Sequence, residues 1–275
     1  MKNVCVITGG GSGMGLATAK MLGKENHIII VGRTLKKLEN ALEELRNEGI
    51  ESDLFVCDIS NRMLVDELAK FAKSKGRIAS VIHAAGMSPH MGDAKTIMEA
   101  NALGTININD AFYEVMEKGS CLIDVSSMSA YIVPEIIMPK WRYKYSRLNK
   151  EVFIKKMMGR VNIFPKKLRS GIAYGISKHF VIWYAKTDAA KFGAKGIRVL
   201  SVSPGSFETP MGELEKESVD EYIKQSALKR LGSVEEIACL FAFCVSSKAG
   251  YLTGTDILCD GGCVASGINL LKRNS

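Results

Sequence analysis

Val4-Cys-Val-Ile-Thr-Gly-Gly-Gly-Ser-Gly-Met-Gly15 is the stretch that decides the fold of this chain. Its first five residues form an apolar run typical of a buried strand, and an amphipathic helical pattern with Leu16, Ala19 and Leu22 follows the glycines. Glycines in this position permit a tight turn, allow close approach of the backbone to a ligand, and leave a helix N-terminus exposed. Because a pyrophosphate needs all three conditions, the stretch predicts a strand, a phosphate-binding turn and a helix.

The same unit of strand, turn and helix repeats along the chain. Apolar runs predict strands at residues 4–8, 28–31, 54–57, 78–83, 121–125, 197–202 and 256–259. Helical patterns occupy residues 35–48, 62–75, 96–117, 174–191 and 234–245. Short apolar strands alternating with longer helices are typical of a parallel sheet covered on both faces. We therefore predict the α/β class, with residues 1–275 forming a single Rossmann-type doubly wound domain around a seven-stranded parallel sheet.

Composition narrows the class of protein. The chain has 275 residues, 47% of them hydrophobic, and a mean hydropathy of +0.06, so it can bury a full core. No apolar run approaches the roughly 18 residues of a membrane span, and the N-terminus has no signal-peptide pattern. We expect a cytoplasmic protein with no membrane span. The seven cysteines form no Cys-x-x-Cys pair and the four histidines share no ligand spacing, which favours reduced thiols and no metal.

The formal net charge of +8 is concentrated in one segment. Residues 140–169 contain eleven Lys or Arg and one acidic residue, Glu151, so this segment carries +10 and the remainder of the chain −2. The basic charge is confined to one short segment that has no recognisable nucleic-acid-binding motif, which argues against nucleic-acid binding.

A second motif with chemical content is Tyr174-Gly-Ile-Ser-Lys178. Residues four apart are neighbours on a helix surface, so the Lys178 ammonium can lie close to the Tyr174 phenol. A phenol with a pKa near 10 is a poor acid–base catalyst at neutral pH, and a nearby cation favours the phenolate. Beside a cofactor this pair is an acid–base catalyst; otherwise it is a helical surface pair.

The two motifs together resemble those of the short-chain dehydrogenase/reductase family. Thr8 to Gly15 matches the family's Thr-Gly-x-x-x-Gly-x-Gly cofactor loop, and Tyr174-x-x-x-Lys178 matches its catalytic pair. Further matches follow in the family's order over residues 3–263, apart from an insert. Ala84-Ala85-Gly86 resembles the family's Asn-Asn-Ala-Gly turn, with His83 and Ala84 in place of the two asparagines.

The resemblance implies a role for each matching residue. The catalytic residues that it implies are Asn101, Ser127, Tyr174 and Lys178. The cofactor-binding residues that it implies are Thr8, Gly9, Ser12, Gly13, Met14, Gly15, Arg33, Thr34, Asp58, Ile59, Ala84, Ala85, Gly86, Tyr174, Lys178, Pro204, Gly205, Phe207 and Thr209. In the implied mechanism Lys178 lowers the pKa of Tyr174, and Tyr174 exchanges a proton with the substrate oxygen. Ser127 holds that oxygen, and Asn101 keeps a relay water in place.

The choice of cofactor depends on the residues after the second predicted strand. The stretch from Val31 to Lys37 contains no carboxylate, and an acid there would bind a ribose 2′-hydroxyl. Arg33 instead offers a planar fork for a 2′-phosphate, to which Thr34, Ser12 or Lys37 can add donors. We predict NADP(H), with NAD(H) as the alternative if Arg33 only faces solvent.

A long basic insert precedes the implied catalytic tyrosine. Ser127 and Tyr174 are 47 residues apart, much farther than in the family's usual pattern, and the insert lies at about residues 131–170. A similar insertion occurs in the bacterial 3α-hydroxysteroid dehydrogenase/carbonyl reductase branch. Residues 131–138 are apolar and could wall a pocket. Helical spacing of Trp141, Tyr145, Leu148 and Val152 predicts an amphipathic helix with a solvated basic face; a lid for the substrate and a partner- or membrane-surface helix are the alternatives.

We therefore expect an NADP(H)-dependent oxidoreductase that interconverts a ketone and a secondary alcohol. Its substrate would be a hydroxysteroid, a bile-acid-like compound or another apolar carbonyl compound, with an anionic tail as one option. A 3-oxoacyl-thioester reductase of the same family is the second hypothesis. A non-catalytic cofactor-binding regulator is the third, and it predicts a damaged catalytic set. We expect a homo-oligomer, either a dimer or a tetramer.

Overall fold

One parallel sheet forms the centre of the computed structural model, which describes residues 3–213 and 216–267. Its strands are β1 (Asn3–Thr8), β2 (Asn26–Gly32), β3 (Ser52–Val56), β4 (Ile78–His83), β5 (Cys121–Val125), β6 (Arg198–Pro204) and β7 (Asp256–Cys259). Their order is β3-β2-β1-β4-β5-β6-β7, and every neighbouring pair is parallel. The predicted seven-stranded parallel sheet is confirmed.

Helices cover both faces of this sheet. The α-helices are α1 (Gly13–Gly23), α2 (Leu35–Asn47), α3 (Arg62–Lys75), α4 (Ala94–Met98), α5 (Gly104–Val115), α6 (Ser129–Ile132), α7 (Lys150–Val161), α8 (Arg169–Gly193), α9 (Pro210–Glu213), α10 (Lys216–Gln225) and α11 (Val234–Val245). Glu99–Leu103 forms a π-helical turn between α4 and α5, and Lys140–Arg147 forms a 3-10 helix before α7.

Two apolar layers sandwich the sheet because successive strand residues point to opposite faces. In β1, Val4 and Val6 pack into the layer that includes α3 and α5, while Cys5 and Ile7 pack into the layer that includes α2 and α11. All four side chains are fully buried. Burial on both faces explains why the strands read as continuous apolar runs rather than as alternating patterns.

Strand order reverses next to β1, and this reversal positions the site. The chain proceeds from β1 through β2 to β3 on one side, and then from β4 to β7 on the other. The connections that follow β1 and β4 therefore diverge, which opens a crevice at the carboxyl ends of the two strands. The glycine loop and the Ala84-Ala85-Gly86 turn both begin there.

The insert packs on α8 through a third apolar cluster, and the helix predicted within it is wrong in phase. Trp141 and Leu148 are 62% and 75% exposed, whereas Tyr143, Phe153 and Met157 are fully buried in that cluster. The reason is a break in periodicity. Residues 140–147 follow the three-residue turn of a 3-10 helix, and α7 begins afresh at Asn149, whose side chain accepts from the N–H of Val152 at 2.9 Å.

Several cations of the insert are committed to contacts within the domain. Arg147 Nη2 lies 2.7 Å from Asp188 Oδ1, and the Arg147 guanidinium lies 3.7 Å from the centre of the Tyr184 ring. Arg160 and Arg169 each donate to two backbone carbonyls of the insert. The predicted solvated basic face therefore does not include all of these cations. Arg160 and Arg169 stabilise the insert itself, and Arg147 binds the insert to α8.

Candidate active site

The glycine loop is shaped so that side chains are excluded from it. Gly9 and Gly13 have φ values of +74° and +52°, which L side chains rarely adopt. A Cβ on Gly15 would lie 2.3 Å from the carbonyl oxygen of Gly9. The Ser12 side chain makes no capping hydrogen bond at the start of α1. The loop therefore presents bare backbone and an uncapped helix N-terminus, an arrangement that suits a pyrophosphate.

A buried hydrogen-bond chain joins the end of β1 to the turn after β4. Thr8 Oγ1 accepts from the Ala85 N–H at 3.0 Å and lies 2.8 Å from His83 Nδ1. Burial, followed by the nearby Lys178 charge, lowers the pKa of His83 to about 3. The imidazole is therefore neutral, and it shares one hydrogen bond with the Thr8 hydroxyl, whose direction depends on the tautomer of the ring. His83 was not among the predicted site residues; its position directly before the Ala84-Ala85-Gly86 turn was the available signal.

The crevice beside the glycine loop holds a cavity of about 210 Å³, which we call the cofactor cavity. Thirteen predicted cofactor-binding residues line it: Thr8, Gly9, Ser12, Gly13, Met14, Gly15, Arg33, Asp58, Ile59, Ala84, Ala85, Gly86 and Thr209. Sequence reasoning missed seven others: Val31, Gly32, Cys57, Met87, Ala100, Pro210 and Met211. Thr34 is not part of the lining and instead occupies the N-cap position of α2.

Arg33 lies at the edge of the cofactor cavity with its side chain exposed. Its Nη1 is 3.9 Å from the sulfur of Met87, which is a weak acceptor. The guanidinium therefore retains strong donors for an anion. Ser12 is also exposed and lines the same cavity, so two of the four predicted phosphate donors are together, whereas Thr34 and Lys37 are not part of its lining.

Two adjacent serines follow β5, and their contacts distinguish them. Ser126 Oγ donates to the backbone carbonyl of Lys178 at 2.7 Å. Ser127 Oγ accepts from the N–H of Ser129 at 3.1 Å, which leaves the Ser127 hydroxyl hydrogen available for another acceptor. Ser126 thus holds α8 in place, whereas the Ser127 hydroxyl keeps its hydrogen for a further acceptor.

Lys178 is a buried cation directly beneath the turn that carries Tyr174. Its Nζ donates to the carbonyl of Val125 at 2.9 Å and lies 5.9 Å from the centre of the Tyr174 ring. Burial lowers the pKa of Lys178 to about 8, and Asp124 acts in the opposite direction. A Cβ on Gly86 would lie 3.3 Å from Nζ, so a glycine here keeps this space open.

Asn101 lies in the π-helical turn and is almost fully buried. Its Oδ1 accepts from the Met87 N–H at 2.8 Å, while its Nδ2 donates to the Met87 carbonyl at 3.0 Å and to Ser177 Oγ at 3.1 Å. The side chain therefore holds the turn after β4 against α8. π-Turns inside helices are frequent at functional sites. A relay water at Asn101 stays a prediction; both amide hydrogens of the side chain are used, and Oδ1 retains its second acceptor site.

A second cavity of about 100 Å³, which we call the catalytic cavity, adjoins the first. The predicted residues that line it are Met14, Ser127, Tyr174, Pro204, Gly205, Phe207 and Thr209. Those not predicted lie on the loops after β5 and β6 and in helices α6, α9 and α10: Ser126, Met128, Ser129, Ser206, Met211, Gly212, Val219 and Tyr222. Met14, Thr209 and Met211 line both cavities, so the two meet at these three residues.

Residues 131–138 do not line the catalytic cavity, so the predicted pocket wall is wrong for this cavity. Ile136 is 86% exposed, and Met138 is buried in the third apolar cluster. Val133 packs against α8 so closely that a Cβ on Gly175 would come within 2.3 Å of its methyl group. The apolar run serves to dock the insert on the helix that carries Tyr174.

Within the described residues, no three His, Cys, Asp or Glu side chains are grouped as a metal site. In the same part of the chain, none of the helices is long and apolar enough to cross a bilayer.

The fold and the pair of adjoining cavities define an α/β protein of the Rossmann type. Residues 3–139 match the family described as short chain dehydrogenase, and residues 157–264 match the family described as enoyl-(acyl carrier protein) reductase. The chain belongs to the short-chain dehydrogenase/reductase family of oxidoreductases, which use a nicotinamide cofactor.

Individual proteins show the same similarity. The short-chain dehydrogenase/reductase bsc3 of Alternaria brassicicola is 27% identical over 269 residues, which cover 96% of each chain. The 3-oxoacyl-(acyl-carrier-protein) reductase FabG of Thermotoga maritima is 27% identical over 273 residues, with 95% of this chain and 97% of that protein covered. A solved structure of a short chain dehydrogenase from Burkholderia cenocepacia in complex with NADP has a TM-score of 0.76, 20% identity, and coverage of 95% and 98% of the two chains.

Proposed function

We propose that this protein is an NADP(H)-dependent oxidoreductase that interconverts a ketone and a secondary alcohol. The observation that carries the proposal is the junction between the two cavities. One cavity contains the glycine loop and Arg33, the other contains Ser127 and Tyr174, and Met14 is among the residues that line both. A carbonyl group held at Tyr174 would therefore lie next to the end of the cofactor cavity where the two cavities meet, at Met14, Thr209 and Met211.

The chain's own residues account for the proton and for the developing charge. A bound nicotinamide cofactor would supply or accept the hydride. Ser127 would donate to the substrate oxygen through a hydrogen bond that strengthens as negative charge develops there. Tyr174 would give its phenolic proton to that oxygen in reduction and take it back in oxidation. The buried Lys178 ammonium would favour the phenolate and so bring the phenol toward its working range.

The lining of the cofactor cavity supports an NADP-type dinucleotide as the cofactor that we propose. The bare backbone of Gly9, Gly13 and Gly15 would receive the pyrophosphate, because added side chains would collide there. Arg33 and Ser12 would bind a 2′-phosphate at the edge of the cavity, and Lys178 would bind the nicotinamide ribose. NADP bound in the Burkholderia cenocepacia relative supports this choice over NAD.

The substrate class that we propose is an apolar carbonyl compound, and hydroxysteroids are the first candidates. We also propose that the enzyme belongs to the 3α-hydroxysteroid dehydrogenase/carbonyl reductase branch of the family. A 3-oxoacyl thioester is the second candidate, and the similarity to a FabG enzyme favours it. A non-catalytic regulator is disfavoured, since Asn101, Ser127, Tyr174 and Lys178 are all present. We propose that the enzyme is a homo-oligomer, which light scattering would test.

The decisive experiment is NADPH oxidation with a panel of ketosteroids, small apolar ketones and acetoacetyl thioesters. Turnover of ketosteroids or apolar ketones is the expected result. Turnover of thioesters alone would replace the first candidate by the second, and the absence of turnover with every compound, in either direction, would count against the proposed chemistry.

A further inference from the structure

A hollow on the insert lies apart from the candidate active site. We call it the insert hollow; its volume is about 260 Å³, and it is lined by Ile136, Met138, Pro139, Trp141, Arg142 and Arg160. None of these residues lines the cofactor cavity or the catalytic cavity. The proposed reaction therefore gives these side chains no function.

Two guanidinium groups line the insert hollow without a carboxylate to neutralise them. Arg142 and Arg160 are both half-buried, and within the described residues neither of them forms an ion pair. The carboxylate nearest to the hollow in sequence, Glu135, is paired with Lys140. Two uncompensated cations around one hollow attract an anion.

Backbone contacts hold both guanidinium groups in place. Arg142 Nη1 donates to the carbonyl of Lys156 at 2.8 Å. Arg160 donates through Nη2 to the carbonyl of Ile136 at 2.7 Å and through Nε to that of Ile137 at 2.9 Å. Among the described residues, Arg142 Nη2 and Arg160 Nη1 have no hydrogen-bond partner. Each fixed guanidinium thus keeps donors for an oxyanion, and its planar fork suits a phosphate.

Apolar side chains at the same hollow are left in contact with water. Ile136 is 86% exposed and Trp141 is 62% exposed, with the Trp141 ring centre 4.8 Å from the Arg142 guanidinium. Lys144 is exposed too, and it follows Trp141 by one three-residue turn on the same face of the 3-10 helix. A small soluble anion would leave the apolar side chains in water, whereas a bilayer interface receives apolar, aromatic and basic side chains together.

We propose that the insert hollow docks the protein on the surface of an anionic bilayer. The phosphate of a lipid headgroup would bind between Arg142 and Arg160, while Trp141 and Ile136 enter the boundary between headgroups and acyl chains. Charge complementarity favours this occupant, because residues 140–169 carry +10 and the remainder of the chain carries −2. Such docking is peripheral, needs no membrane-spanning helix and does not depend on the proposed reaction.

Vesicle flotation tests this inference. The protein should float with vesicles of phosphatidylcholine and phosphatidylglycerol in equal parts, and not with vesicles of phosphatidylcholine alone. Salt at about 1 M should weaken the binding, because it shortens the screening length to about 3 Å. Trp141 also serves as a probe, since Trp183 is the one other tryptophan of the chain. In the variant Trp183→Phe, the Trp141 emission should shift to shorter wavelength on the anionic vesicles.

Exposed residues are the ones to substitute, because the two arginines also hold the backbone of the insert. Trp141→Ala should lower the partition coefficient on anionic vesicles about tenfold, and Lys144→Gln about fivefold. Tyr251→Ala and Lys70→Gln remove an exposed aromatic ring and an exposed charge elsewhere on the domain, and both should bind as the unmodified protein does. Thermal melts of the four variants check that each is folded.

Three outcomes would contradict the inference. One is equal binding to both kinds of vesicle, or to neither. A second is a loss of binding that is as large in the two control variants as in Trp141→Ala and Lys144→Gln. A third is a Trp141 emission that responds to inorganic phosphate and not to vesicles, which would make the insert hollow a site for a free anion instead of a lipid headgroup.

Discussion

Ser126 Oγ donates a hydrogen bond of 2.7 Å to the backbone carbonyl of Lys178, and this bond joins the end of β5 to the middle of α8. The return contact runs from Lys178 Nζ to the carbonyl of Val125 at 2.9 Å. These two hydrogen bonds hold the strand that precedes Ser127 against the helix that carries Tyr174. Positioning of the two proposed catalytic hydroxyls therefore depends on one buried lysine and on Ser126, whose hydroxyl is bonded to the backbone of α8.

Replacing Tyr174 by Phe removes the phenolic proton while keeping the ring. If Tyr174 is the general acid and base, kcat should fall by about 10² to 10⁴, the usual contribution of a positioned proton donor. The affinity for NADPH, measured by fluorescence titration, should remain that of the unmodified enzyme. Activity retained by this variant would overturn the mechanism, and a parallel loss of NADPH binding would point to a structural effect.

The two serines after β5 should respond differently to substitution by alanine. Ser127→Ala removes the donor to the developing oxyanion, so kcat should fall about 10²- to 10³-fold with little change in thermal stability. Ser126→Ala removes a buried hydrogen bond to the backbone of α8 and should cost about 1 kcal/mol of unfolding free energy. Steady-state kinetics and urea denaturation of both variants give the comparison. The reverse pattern would show that Ser126 is the catalytic serine.

The sheet could be predicted because the burial of its strands on both faces directly produces the sequence signal, a continuous apolar run. Strands such as β1 are covered on both faces, so every residue from Val4 to Ile7 is apolar. Such a continuous run predicts a strand without any need to know which residue faces which side of the sheet. The cofactor loop was equally readable. Gly13 and Gly15 occupy positions where a side chain would be strained or would collide, and this requirement leaves a visible pattern of glycines.

The conformation of the insert could not be predicted in detail because it depends on tertiary contacts with the rest of the domain. The exposed Trp141 and the buried Tyr143 are indistinguishable by hydropathy, and a 3-10 turn resets the helical phase between them and α7. The use of Arg147 against Asp188 and Tyr184 is likewise invisible in a count of charges. His83 was missed for a related reason: its hydrogen bond with Thr8 needs β1 and β4 to be neighbours.

Substitution of Arg33 tests the choice of cofactor. Arg33→Ala should weaken NADPH binding by about 10- to 100-fold, the loss expected for charged hydrogen bonds to a phosphate, and should leave NADH binding unchanged. Thr34→Ala is a suitable control because Thr34 lies next in sequence but does not line the cofactor cavity. Fluorescence titration with each nucleotide measures both affinities. Equal losses for NADPH and NADH would refute a 2′-phosphate contact.

Asp124, next to Val125 in β5, should make the stability of the protein depend on pH. Its carboxyl group is fully buried and accepts from Asn109 Nδ2 at 2.8 Å, and burial raises its pKa to about 8, with the Asn109 hydrogen bond acting against this rise. An unfolded chain releases this proton near pH 3.9, so between about pH 4 and pH 8 the folded state alone holds it. Folding stability from this group is therefore present at low pH and is lost as the pH rises through that window.

Asp124→Asn tests this dependence because it keeps the shape of the side chain and removes the titration. Urea denaturation from pH 5 to pH 8 should show the variant gaining stability relative to the unmodified enzyme, at up to about 1.4 kcal/mol per pH unit. Taking the difference between the two proteins cancels the titration of groups that they share. A difference that stays constant with pH would mean that Asp124 is ionised in the folded protein. In that case the carboxylate charge would lie beside Lys178 and would contribute to holding the lysine protonated.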